Sequence, residues 1–301
     1  MRRNWLAAAA ALVLIAPTAV ADEIGGTGFT VPQDEWLWGI EGLVRTPVDL
    51  AGDVGGAWYG YEGSGKLSAT GGPFARTSSK SVEFDNTASI QGGLRIAGGI
   101  GYWSCCVLIE PAVGMWGNKP LGDEREPRGP TTVLPPIQFR SQIEIKESFD
   151  FGFGPQITWM IKDDTPLLSA VGLGGLPLVF FPFLGVAHSE YEVEFIVLHP
   201  ASGTVFGTED RNFQEEMFMV GFDLDIPLPG SHGPFTHALT FGFKWVESDE
   251  KHDMTPTIPG PLGDQRFEYS KTDGYRVELR YHVTWNDFEG FIKRNIFGPV
   301  N

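Results

Sequence analysis

Between Tyr275 and Trp285 the chain reads Tyr-Arg-Val-Glu-Leu-Arg-Tyr-His-Val-Thr-Trp, apolar and polar side chains alternating without a break. A strand sends successive side chains to opposite faces. Tyr275, Val277, Leu279, Tyr281, Val283 and Trp285 therefore share one face, and Arg276, Glu278, Arg280, His282 and Thr284 share the other. The apolar face begins and ends with an aromatic. Ten steps of about 3.3 Å, tilted by about 40°, climb roughly 25 Å, the height of the apolar band between the aromatic girdles of a transmembrane barrel. A soluble sandwich alternates as well, but has no reason to set aromatics at that spacing.

The pattern recurs. Ile137, Phe139, Ile143 and Ile145 alternate with Gln138, Arg140, Gln142, Glu144 and Lys146, and Phe151, Phe153, Ile157 and Trp159 with Gly152, Gly154, Gln156 and Thr158. Phe222, Leu224 and Ile226 oppose Asp223 and Asp225, and Leu239, Phe241, Phe243 and Trp245 oppose Thr240, Gly242 and Lys244. The periodicity predicts strands near 55–62, 87–101, 107–117, 133–146, 150–161, 167–173, 178–197, 213–226, 235–247 and 266–285. That is an all-β, antiparallel transmembrane β-barrel of about 10 strands, within a range of 8 to 12. Short turns are expected at 102–106, 147–149, 174–177 and 227–234, and longer loops at 63–86, 118–132, 198–212 and 248–265. Alternating short and long connections put both ends of the barrel on the short-turn, periplasmic side. One short connection, Lys162 to Pro166, falls irregularly on the long-loop side.

The first residues carry Arg2 and Arg3, an apolar run from Leu6 to Ala16 and Ala19-Val20-Ala21. This is the pattern of a cleaved secretory signal peptide over 1–21, its apolar run being too short to span a bilayer. Without that segment the net charge goes from −16 to −18, because two arginines and no acid are lost. So acidic a surface does not suit nucleic acid, which is held by Lys and Arg on phosphates. Only 2 Cys accompany 39 Gly, 22 Phe and 9 Trp, which excludes a small disulfide scaffold.

With its leader, girdled strands and the Tyr281-x-Val283-x-Trp285 ending, the sequence resembles the outer-membrane β-barrel proteins of Gram-negative bacteria over about residues 54–285. The ending resembles the aromatic-terminated assembly signal of that family's last strand, although this chain continues to Asn301. The resemblance implies outer-membrane lipid and the barrel-assembly machinery as partners. It implies a structural, adhesive or binding role through the outer loops. A narrow channel for small or hydrophobic solutes is the alternative, and an outer-membrane hydrolase is a third, weaker reading.

Two segments depart from the strand period. Residues 34–46 place Trp36, Ile40, Leu43 and Val44 on one helical face, with Asp34 as cap, and the tail at 286–301 spaces Phe288, Phe291, Ile292 and Ile296 similarly. Short terminal helices are expected there, flanking a barrel at 54–285, the first within an N-terminal segment at 22–53.

Chemistry is sparse. His188 and Ser189 are neighbours on a strand, so their side chains diverge. Asp223 and Asp225, like Glu192 and Glu194, are expected to face the lumen, inside a salt-bridged interior with Arg95, Arg140, Glu144, Lys146, Lys244, Arg276, Glu278 and Arg280. The run Glu247 to Asp253 lacks the spaced ligands and glycine of a calcium loop and reads as a solvated acidic loop. Neither a cofactor motif nor a catalytic set emerges. Cys105 and Cys106 adjoin at an expected hairpin. Neighbouring Cα atoms are about 3.8 Å apart, below the roughly 4.4–6.8 Å of ordinary disulfides, so a bond between them needs a distorted turn. A vicinal disulfide is expected there, with free thiols, an intermolecular bridge and a metal as alternatives.

Overall fold

The computed structural model describes residues 42–44, 46–71, 74–104, 107–121, 128–134, 137–160, 177–228, 235–257 and 264–285. Among the described residues eleven strands form one sheet: β1 (Gly42–Val44), β2 (Val48–Gly71), β3 (Phe74–Gly98), β4 (Gly101–Ser104), β5 (Val107–Pro120), β6 (Arg128–Leu134), β7 (Ile137–Met160), β8 (Pro177–Leu198), β9 (Val205–Pro227), β10 (Phe235–Met254) and β11 (Asp264–Trp285). Eight of them close a ring in the order β2, β3, β5, β7, β8, β9, β10, β11 and back to β2, every pair antiparallel. The ring closes where Trp285 pairs with Leu50 and Asp264 with Thr70. Closure removes the open edges that a membrane would leave unpaired.

The short strands continue their longer neighbours. β1 pairs β4, β4 pairs β5, and β6 pairs the upper part of β7, which β5 does not reach. Gly98 and Gly99, at φ 107° and 92°, make the bend between β3 and β4. Eight composite staves thus lie within the expected range of strand number.

Several boundaries differ from those expected. Residues 147–149 are no turn, since β7 runs unbroken from Ile137 to Met160. A bulge between Ile145 and Glu147 stands beside the expected turn, and the expected connection at 162–166, strand at 167–173 and most of the turn at 174–177 lie outside the described residues. Most of the expected loops at 63–86 and 248–265 are paired strand, because the hairpins keep their ladders beyond the girdled wall. The ring begins at Val48 rather than near residue 54. Gly42–Val44 is strand, not helix, since the edge of β4 offers ladder partners that an isolated helical turn lacks. The leader at 1–21, the remainder of the first expected helix, the tail at 286–301, and Cys105 with Cys106 lie outside the described residues.

Burial reverses along the barrel axis. At the base, where β2 begins and β11 ends, the outward residues are apolar: Val54, Trp58, Leu94, Phe153, Leu184, Val220, Phe241 and Leu279 are exposed, whereas Arg95, Asp150, Asp225, Lys244, Arg276 and Arg280 are buried inside. Aromatics bound this band, with Phe235 against Trp285 below and Trp58, Phe149, Phe218, Trp245 and Tyr275 above. A wall that is apolar outside and charged inside is the polarity of a transmembrane β-barrel of the outer-membrane type. At the other end, the crown, the order is that of a soluble protein. Leu67, Val82, Phe139, Ile143, Val193, Phe195, Phe267 and Tyr269 are buried, and Glu62, Lys66, Lys80, Glu83, Arg211 and Arg266 point out.

In three strands bulges make the reversal, whereas β2, β8 and β9 keep odd-numbered residues inside throughout and change only the residue types placed there. In β11 the register slips between Ser270 and Asp273, with Lys271 at φ 63°. Odd-numbered Phe267 and Tyr269 then point inward while odd-numbered Tyr275 and Leu279 point outward. β7 slips between Ile145 and Glu147, and β3 between Phe84 and Thr87, with the same result. One extra residue rotates everything beyond it to the other face.

Candidate functional site

The lumen of the base is filled by charge. Lys244 Nζ stands 2.9 Å from Asp150 Oδ2 and 2.9 Å from Glu278 Oε1. Arg276 also pairs with Asp150, and it donates to the Tyr61 hydroxyl at 2.6 Å and to Ser148 Oγ at 3.2 Å. Arg280 bridges Asp53 at 2.8 Å, Glu278 at 3.3 Å and Asp223. Arg95 pairs with Asp225, which also accepts from Thr240 Oγ1 at 2.7 Å, and lies 3.1 Å from His282 Nε2. These residues come from β2, β3, β7, β9, β10 and β11, so the lattice crosses the bore from wall to wall.

Aromatic rings pack against the lattice. Lys244 Nζ lies 3.9 Å from the centroid of the Trp116 ring, Arg280 5.5 Å from the same ring, and Arg95 5.5 Å from that of Phe181. A desolvated cation gains from the negative ring face, which lowers the cost of burying it.

A second closure lies in the crown. Tyr191 stacks on Phe213 with centroids 4.9 Å apart, Tyr269 packs against both, and Phe139 stacks on Phe195 at 5.9 Å. Beneath them, above the girdle, Glu215 is fully buried and accepts from Thr272 Oγ1 at 2.8 Å. Burial raises its pKa to about 7, against the hydrogen bonds of Thr272 and Ser248 and with the help of nearby Glu250.

The residues singled out from sequence divide three ways. Asp223, Asp225, Arg95, Lys244, Arg276, Glu278 and Arg280 meet in the lattice as expected. Arg140, Glu144, Lys146, Glu192 and Glu194 do not: they lie on the outer surface of the crown, where Lys146 pairs with Glu144 at 2.6 Å and with Glu192. The β7 bulge turned the first three outward, and the reversal of polarity placed Tyr191, Val193 and Phe195 inside instead of Glu192 and Glu194. His188 is on the outer wall and Ser189 is buried inside, so the two are not brought together.

The run Glu247 to Asp253 is not a loop but part of β10. Asp253 is held there by a two-pronged contact from Arg266, at 3.0 and 2.6 Å, which keeps its carboxyl below the usual range. His252 turns inward, 4.6 Å from Phe213 between ring centroids. Among the described residues no three His, Cys, Asp or Glu side chains converge as metal ligands. Sequence reasoning missed Trp116, the Tyr61 hydroxyl and Glu215. Trp116 alone carried a signal, a large aromatic in phase with Glu110 and Asn118 on the inward face of β5.

No protein-family model and no curated protein matches this sequence. Among solved structures, the chain is similar to the attachment invasion locus protein Ail of Yersinia pestis, at 10% identity and a TM-score of 0.23, over 76% of this chain and 98% of that one. Neisserial surface protein A matches at 11% identity and 0.25, over 76% and 98%. The outer membrane protease OmpT from Escherichia coli matches at 9% identity and 0.29, over 84% and 99%. The barrel assignment above rests on this chain's own ladder and burial.

Proposed function

We propose that this chain is an outer-membrane barrel that does not conduct and that displays its crown as a binding surface. One observation carries the reading: the bore is closed twice, by the charge lattice of the base and by the aromatic packing of the crown. A narrow channel would need both to open. The crown is paired strand whose outer wall bears Glu144, Glu147, Glu190, Glu192, Glu194, Asp210 and Glu216 across β7, β8 and β9. That surface suits a cationic partner outside the cell. Both ends of the ring lie at the base, which supports a periplasmic base and an outward-facing crown. The apolar leader would deliver the chain for export, and the barrel-assembly machinery would take up β11.

Planar-bilayer recording on the refolded protein is the first test. The expected result is no stepwise current at any applied voltage, and stable unitary steps would overturn the closed barrel in favour of the channel. For the crown, proteoliposomes are expected to bind polylysine-coated beads in low salt, to release in high salt, and to ignore heparin-coated beads. The variant Glu190→Gln/Glu192→Gln/Glu194→Gln should bind much less. Binding unchanged in that variant would reject the acidic surface as the contact.

A further inference from the structure

On the outer wall, spanning β3, β5, β7, β8 and the edge of β9, is a hollow of about 560 Å³. Its floor is Gly92 and Gly117, opposed in the ladder of β3 and β5. A Cβ placed on Gly117 would meet no atom within 4 Å, and one on Gly92 would only touch the Asp53 carbonyl oxygen at 3.8 Å. Neither has a positive φ. Packing does not demand glycine at either position, and what the pair produces is the hollow itself.

The hollow straddles the level at which the wall changes polarity. Phe149 and His188, opposed across β7 and β8 at the level of the glycine floor, line its lower part, and Ile90, directly opposite Lys119, lines its upper part with Glu147 and Glu190. Glu147 and Glu190 are directly opposed in the ladder of β7 and β8, an arrangement of like charges that destabilises unless a cation lies between them. Lys119, on β5, offers the opposite charge within the same hollow. Gln214 of β9, also in the lining, donates to Glu190 at 3.5 Å, and an amphiphilic occupant with an anion and a cation in one headgroup matches the remaining charges.

We infer that this hollow seats one glycerophospholipid with a primary-ammonium headgroup. The phosphate faces Lys119 beside Ile90, the ammonium lies between Glu147 and Glu190, and the chain roots run down over Gly92, Gly117 and Phe149. A volume of several hundred Å³ is the size of a small-molecule site. A polyanionic lipid A headgroup would bring phosphates against two carboxylates, and a lipid with phosphate alone would leave them opposed. This site does not depend on whether the barrel conducts; it shares Glu147 and Glu190 with the acidic crown surface, and lipid retention reads it separately from bead binding.

The test is native mass spectrometry of the full protein released from nanodiscs holding equal amounts of phosphatidylethanolamine, phosphatidylcholine and phosphatidylglycerol, with lipid A added. One phosphatidylethanolamine is expected to remain bound about fivefold more often than any other lipid, equivalent to roughly 1 kcal/mol. Gly117→Phe should fill the hollow and abolish retention while heat-modifiable migration on gels is unchanged. Glu147→Gln with Glu190→Gln should erase the preference among headgroups, and it decides the matter alone if Gly117→Phe does not fold. Equal retention of phosphatidylglycerol, preferential retention of lipid A, or wild-type retention in either variant would overturn the assignment.

Discussion

Ile143 and Phe149 are six residues apart on one strand and share its sequence parity, yet Ile143 is fully buried inside the barrel and Phe149 is 47% exposed outside it. The extra residue between them is Lys146, since Ile145 pairs with Tyr191 and Glu147 with Glu190. Deleting Lys146 would restore strict alternation and force one half of β7 to show its wrong face. The deletion is expected to abolish the folded, heat-modifiable band on gels, whereas Lys146→Ala should retain it. A normally folded deletion variant would show that the bulge does not set the reversal.

The lattice should be costly to break at one point. Arg280 contacts Asp53, Asp223 and Glu278, and none of these side chains has appreciable exposure. Arg280→Met leaves buried carboxylates without their cation, a loss of about 3–5 kcal/mol. The midpoint of urea unfolding in micelles should fall accordingly. A shift below about 1 kcal/mol would mean that water or a neighbouring cation takes the place of Arg280.

Leu279 lies on the lipid face midway along the apolar band, paired with Phe241 and Gly56. Leu279→Arg should destabilise the barrel by about 2–4 kcal/mol in lipid, as cations do near the bilayer midplane. The outward Lys66→Ala change in the crown should be near neutral. Equal effects from both, measured by refolding into vesicles, would contradict the membrane placement.

Glu215 predicts a pH dependence. Its carboxyl is raised to about 7 in the fold from 4.5. Between those values the folded state holds a proton that the unfolded chain has released, so stability falls as pH rises through that window and is flat below it. The loss is bounded at about 3 kcal/mol, since one unit is worth about 1.4 kcal/mol. Glu215→Gln should flatten unfolding midpoints between pH 5 and pH 7.5. A slope that persists in the variant would point to another group.

The alternation from Tyr275 to Trp285 was legible because a membrane wall writes its two environments into a period of two. The same rule misled at Glu192 and Glu194, because parity says which residues share a face but not which face is inside, and at Arg140 because a bulge breaks the parity. The contacts joining Lys244 to Trp116 or Arg276 to Tyr61 were not legible, since they join residues far apart in the chain across the bore.

The sequence by itself determined that the chain is a girdled barrel wall with charged residues between apolar ones, because local alternation and aromatic spacing are properties of a single strand. Only the tertiary structure decided that eight staves close the ring, that bulges in β3, β7 and β11 turn those strands over above the girdle, and that charged side chains from six strands meet inside the bore. Those outcomes depend on register between strands, and register is set by which ladders form around the whole ring, not by any one segment.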